Sequence, residues 1–125
     1  MSHLFDEKHA PSNFLAVNGL GTQVAQHVRI DHNHFRKIGP RITNGKEAIR
    51  VGLSGLSLSS GYNVVESNLF EECDGDPEIV SIKCCDTQVV NNTFLRCQGG
   101  VCLRHGNKNV VGDNIFLGEN KKGTD

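Results

Sequence analysis

Apolar residues along this 125-residue chain come in short bursts, and the bursts repeat. Four segments share one pattern of an apolar pair, then Asn, one spacer, Phe and a polar turn. They are VRIDHNHFRKIG from Val28, VVESNLFEECDG from Val64, VVNNTFLRCQGG from Val89 and VVGDNIFLGENKKG from Val110. Their phenylalanines are Phe35, Phe70, Phe94 and Phe116, at intervals of 35, 24 and 22 residues. Between the segments lies a second strand, EAIRVG (47–52), EIVSIK (78–83) and GVCLRHG (100–106), and FLAVNG (14–19) is a further short strand. No unit is long enough to bury its own apolar face, so the faces must stack on one another. Intervals in the low twenties with β-branched strands predict a β-solenoid. An antiparallel sandwich could use the same short strands, but it gives no reason for the N-x-F register across four units.

Stacking assigns roles to the recurring residues. Phe70, Phe94 and Phe116 form an interior ladder, and Cys73 and Cys97, each three residues after its Phe, stack beside it. Asn33, Asn68, Asn92 and Asn114 recur at one corner, where Asn tolerates a left-handed turn and bonds to neighbours above and below. The long first interval implies an inserted loop, placed within LSGLSLSSGYN (53–63). Residues 1–13 are polar, carry Pro11 and read as an N-terminal tail or partial turn. Residues 14–125 read as a solenoid fragment lacking one or both caps, since KKGTD closes the chain without a capping helix.

Composition narrows the classes. A hydrophobic content of 37% without Trp is lean for a globule, and 14 Gly with many Asn favour tight turns over long helices. A net charge of −1 and the lack of a basic stripe with interleaved aromatics give no reason to expect nucleic acid. No apolar run approaches a membrane span, MSHLFDEKHA lacks the apolar core of a signal peptide, and no feature calls for a protein partner. Five Cys, an odd number without a CxxC pair, argue for buried thiols over a zinc site or disulfide framework.

The candidate chemistry lies between Asp74 and Asn107. Lys83 and Arg104 each end an apolar run, IVSIK and GVCLR, one repeat apart, so stacked rungs would hold them one strand step, about 4.8 Å, from each other. Two close cations disfavour each other's charge, which makes a lysine available as a base, while arginine stays charged to stabilise an anion or a leaving oxygen. Alone, such a pair is more often a solvated surface. The acidic pair beside it changes the weighting. Asp76 and Glu78, with the Asn44 amide a rung earlier, make an all-oxygen set suited to a hard cation such as calcium. The plainer reading makes them turn residues pairing with Lys83. Strict alternation puts Glu78 and Lys83 on opposite faces, so Glu78 is expected in the turn beside Pro77. His105 is a candidate substrate contact. His32 and His34 share strand parity but have no third metal ligand, and NNT (91–93) reads as part of the Asn corner more than as a glycosylation site.

NGKEAIRVG, LFEECDGDPEIVSIK and GGVCLRHGN, in that order, resemble polysaccharide lyase family six, the chondroitinase B and alginate lyase group. The resemblance runs from about His27 to Asp125 and corresponds to the middle of the family's catalytic helix. It implies a right-handed, single-stranded parallel β-helix, here about four to five rungs. It also implies calcium-assisted β-elimination on an acidic uronic-acid polysaccharide, alginate ahead of dermatan sulfate, and a secreted or periplasmic setting. By resemblance, Lys83 matches the general base, Arg104 the general acid, His105 a substrate contact, and Asn44, Asp76 and Glu78 the calcium ligands. The family has Glu where Asp76 stands. Two rival readings remain: a β-helix glycoside hydrolase using Asp76 and Glu78, and a non-catalytic carbohydrate-binding solenoid.

Overall fold

A computed structural model describes residues 13–39 and 46–118. The strands are β1 (Asn13–Val17), β2 (Gly19–Leu20), β3 (Gln23–Val24), β4 (Arg29–Asp31), β5 (His34–Ile38), β6 (Glu47–Gly52) and β7 (Val64–Glu66). They continue with β8 (Leu69–Cys73), β9 (Glu78–Lys83), β10 (Gln88–Val90), β11 (Thr93–Leu95), β12 (Gly100–His105), β13 (Val110–Gly112) and β14 (Ile115–Leu117). Three parallel four-stranded sheets, ordered β1-β6-β9-β12, β13-β10-β7-β4 and β14-β11-β8-β5, wrap one apolar interior. Apart from β2 and β3, which pair with each other as an antiparallel hairpin, successive strands fall in different sheets, and each pairs with its equivalent one turn later. The chain is a parallel β-helix.

The ladders lie where the repeat puts them. Phe35, Phe70, Phe94 and Phe116 stack with ring centroids 5.1, 4.6 and 4.5 Å apart and interplanar angles below 10°. Phe70 and Phe94 are buried, whereas Phe116, on the last described rung, is 39% exposed. Asn92 shows how the corner works: its Oδ1 accepts from the Asn68 backbone N–H at 2.9 Å and the Asn68 amide at 3.1 Å, while its own amide donates to Asn114 and to the Val65 carbonyl. At another corner the Cys97 thiol accepts from the Cys73 backbone N–H at 3.4 Å. All five cysteines are free thiols and four are buried.

The left-handed conformation belongs to a different residue from the one expected. Positive φ falls on His32, Ser67, Asn91 and Asp113, each just before its ladder Asn, with φ between 53° and 56°. The ladder Asn must project inward to bridge the rungs. The residue before it turns the chain and stays exposed or half-buried, so its type varies freely.

The insertion is also divided. Eleven residues (53–63) separate β6 from β7, against four (84–87) between β9 and β10. Eight (39–46) separate β5 from β6, against four (74–77) between β8 and β9. The loop at 53–63 holds a 3₁₀ turn (Ser54–Leu56) and rejoins the ladder where Ser60 bridges Cys85. The β2–β3 hairpin braces it, with Val24 N–H donating to Ser59 Oγ at 2.9 Å.

Candidate active site

Glu78, Lys83, Arg104 and His105 lie on β9 and β12, and two register shifts decide which of them face one another. Gly100 pairs with Glu78 but Val101 pairs with Val80, so Ile79 is an extra residue in β9. Ile79 and Val80 are both buried, and alternation restarts after the bulge. Glu78 therefore shares a face with Ser81, whose hydroxyl donates to its Oε1 at 2.7 Å. The parity conflict is resolved inside the strand by this bulge, not by placing Glu78 in the preceding turn.

The second shift corrects the expected stacking of Lys83 on Arg104. Leu103 pairs with Ile82 and His105 pairs with Lys83, so Arg104 is the extra residue of β12. His105 thus stands beside Lys83, and Arg104 is displaced toward the acidic end of the face. Its Nη1 donates to Glu78 Oε2 at 2.6 Å. Gly106 closes the strand at φ 91°, where a Cβ would run into the Cys84 backbone.

The electrostatics follow from this crowding. Burial alone would push the Glu78 carboxyl up, but the hydrogen bonds from Ser81 and Arg104, with the charges of Arg104 and Lys83, hold it below the ordinary glutamate value. The Arg104 guanidinium is raised, chiefly by its hydrogen bond to Glu78. Glu47, at the start of β6, was not among the sequence candidates. Extending the pairing of Ile49 with Val80 sets it beside Glu78. Burial pushes its carboxyl up, against the opposing pull of Lys83 and Ser81, and the charges of Asp76 and Glu78 add to the rise. A column-by-column alignment of EAIRVG with EIVSIK would have found it, since Glu opens both strands.

Asp76 Oδ1 accepts the Glu78 backbone N–H at 2.7 Å, so the acidic pair is locally ordered. Asn44 lies outside the described residues. The donors present suit a hard cation such as calcium: carboxylate oxygens on a half-buried face that carries an excess of acidic groups at one end. Among the described residues no three His, Cys, Asp or Glu side chains form a metal shell, and Arg104 provides the positive charge at Glu78. The histidines upstream serve other contacts. His34 Nε2 lies 2.9 Å from Glu71, His32 Nδ1 lies 3.2 Å from Asp31, and His27 stacks on Tyr62.

A parallel β-helix whose bulged outer sheet carries facing acidic and basic groups defines a class of scaffold, and the comparisons identify it. The family model described as Chondroitinase B matches residues 3–124. A structure of a mannuronic acid specific polysaccharide family 6 lyase from human gut microbiota is 38% identical over 89% of this chain and 25% of its own, with a TM-score of 0.83. The PL6 family alginate lyase AlyGC is 39% identical over 87% of this chain and 15% of its own, with a TM-score of 0.77, and a point mutant of AlyGC gives 0.76. Among curated proteins no match was found. This chain belongs to the chondroitinase B family of polysaccharide lyases. It spans a quarter or less of the length of these enzymes.

Proposed function

We propose that this chain carries the catalytic rungs of a lyase that cleaves a uronic-acid polymer, mannuronate-containing alginate ahead of dermatan sulfate, by calcium-assisted β-elimination. The observation that carries the reading is the convergence of Glu78, Arg104, Lys83 and His105 on one outer face through two bulges, with Arg104 reaching Glu78 across adjacent rungs. The similar lyases, one mannuronate-specific and one an alginate lyase, support the substrate class.

The calcium would be held by Asn44, Asp76 and Glu78, and when bound it supplies positive charge against the substrate carboxylate, making the neighbouring C5 proton more acidic. Lys83 removes that proton. The C5–H electron pair becomes the C4=C5 double bond and the C4–O bond breaks. Arg104 hydrogen-bonds the departing oxygen, which takes its proton from water, and Lys83 afterwards releases the C5 proton to water. His105, beside Lys83, contacts the sugar. The hydrolase alternative fits less well. Asp76 is engaged by the backbone N–H of Glu78 and Glu78 by Arg104, so neither carboxyl is left free as a general acid or nucleophile, and Lys83 would have no role.

Lys83→Ala tests the proposal, with ultraviolet absorbance of the unsaturated product as the readout. Product formation should fall at least about a hundredfold while polymer binding is largely kept. Lys83→Arg should fail too, because guanidinium does not shed its proton to act as a base. Near-normal activity in Lys83→Arg would move the base elsewhere, to His105 first. Binding without any unsaturated product in the unaltered chain would leave a carbohydrate-binding solenoid.

A further inference from the structure

Arg50 stands on the same outer face and has no part in the scheme above. It pairs in register with Ser81, and two residues on, Gly52 pairs with Lys83. Its guanidinium is held at two points: Nε donates to the Gly52 carbonyl at 3.1 Å and Nη2 to Asn18 Oδ1 at 2.6 Å. Both acceptors are neutral. Of the five arginines among the described residues, Arg29, Arg36, Arg96 and Arg104 each lie within ion-pair distance of a carboxylate. Arg50 does not, so its charge is fixed in place and left uncompensated by any described carboxylate. Its register neighbours, Ala16 on one side and Ser81 on the other, are small, and Arg50 itself is half-buried between them. Guanidinium has five N–H donors, and two acceptors leave three of them free, both on Nη1 among them. A braced cation with spare donors in a shallow row is a preorganised carboxylate receptor.

We propose that Arg50 binds the carboxylate of a second uronate unit, the neighbour of the unit on which Lys83 acts, and so selects acidic over neutral polymers. The backbone offset suits this. Arg50 is one strand step of about 4.8 Å from the Lys83 rung and two residues, about 6.6 Å, along it. The span falls within reach of two long side chains gripping adjacent sugars. The inference rests on the lyase reading for its substrate and adds a position that discriminates by charge.

The probes are an oligomannuronate and a neutral oligomannose of equal length, followed by steady-state kinetics and by a binding titration. Arg50→Gln should raise KM for oligomannuronate about tenfold, with the loss in kcat/KM carried mostly by KM. The preference for the acidic over the neutral chain should shrink by the same factor. Arg50→Lys, which keeps the charge but loses the fork, should fall between. An unchanged KM in Arg50→Gln, with or without a lower melting temperature, would reduce Arg50 to a brace between Asn18 and Gly52 and overturn the proposal. If Arg50→Gln does not fold, Arg50→Lys decides by the same KM criterion. Acidic binding that depends on Arg50 but yields no unsaturated product would sink the lyase reading and leave the receptor standing. Active cleavage that ignores Arg50 would do the reverse. An unaltered chain that binds no oligomannuronate removes both.

Discussion

Two sheets of the same helix treat their repeats differently. In β14-β11-β8-β5 the register runs without a break, and Phe35, Phe70, Phe94 and Phe116 face one another directly. Its outer surface is charge-balanced: Glu71 takes His34 at 2.9 Å and Arg96 at 2.6 Å across neighbouring rungs. In β1-β6-β9-β12 the β9–β12 pairing shifts twice, and the outer surface is left with Lys83, for which no ion pair is found among the described residues, and Arg50 without a carboxylate. The unbroken sheet spends its charges on holding rungs together. The broken one keeps one such pair, Arg104 on Glu78, and leaves Lys83 and Arg50 without a described carboxylate. A stacked fold has to repeat inside, but it can afford irregularity where only solvent or a ligand is touched.

Removing one interior rung element tests the first half of that contrast with the largest expected effect. Phe94 is 1% exposed and is stacked on both sides, so Phe94→Ala should cost about 4 kcal/mol in urea unfolding. A loss below about 1 kcal/mol would mean that the rungs are held by backbone pairing alone. Asn92→Ala is the smaller interior lesion. It strands the Asn68 backbone N–H and the Val65 carbonyl, and about 2 kcal/mol is expected. Replacement by Asp should rescue only part of this, since a carboxylate accepts the Asn68 bonds but cannot donate to Val65.

On the broken sheet the expected effects are smaller in stability and concern ligands. Arg104 holds Glu78 Oε2 at 2.6 Å, so it competes with any cation for that oxygen. Arg104→Ala should therefore tighten calcium binding about two- to fivefold by calorimetry, even as turnover falls. Weaker binding in that variant would mean that Arg104 orients Glu78 for the cation instead of competing with it.

How far the sequence could be read differs between the sheets for the same reason. The N-x-F period made the ladder, the interior Cys pair and the three second strands legible, because interior packing tolerates little drift. The bulges at Ile79 and Arg104 were not legible: each is a single residue added without any change in local composition. Missing them put Arg104 above Lys83, where His105 stands, and left Glu78 assigned to a turn. Glu47 and Arg50 went unnoticed because an ordinary strand such as EAIRVG hides its outward residues until the register is known. The left-handed corners were placed one residue late, since the conspicuous Asn is the bridging residue and its variable predecessor makes the turn.

The finest test of the contrast uses pH, because Glu47 and Glu78 neighbour each other on one face and are shifted in opposite directions. Glu78 is held below the ordinary glutamate value of 4.5, so its contribution to stability is full above that value and is lost as pH falls through the lower folded value. Glu47 is raised above 4.5 by burial, so the native state favours its protonated form. Its contribution is full below 4.5 and is lost as pH rises through the folded value. Glu47→Gln should accordingly stabilise the chain at neutral pH, and the gain should vanish as pH drops below the ordinary glutamate range. Glu78→Gln should do the opposite, destabilising at neutral pH and becoming indistinguishable from the parent in acid. Urea midpoints across that range are the measurement. If Glu47→Gln destabilised the chain at neutral pH, the attraction of its ionised carboxylate to Lys83 would outweigh its burial, and Glu47 would have to be counted as the partner that positions Lys83.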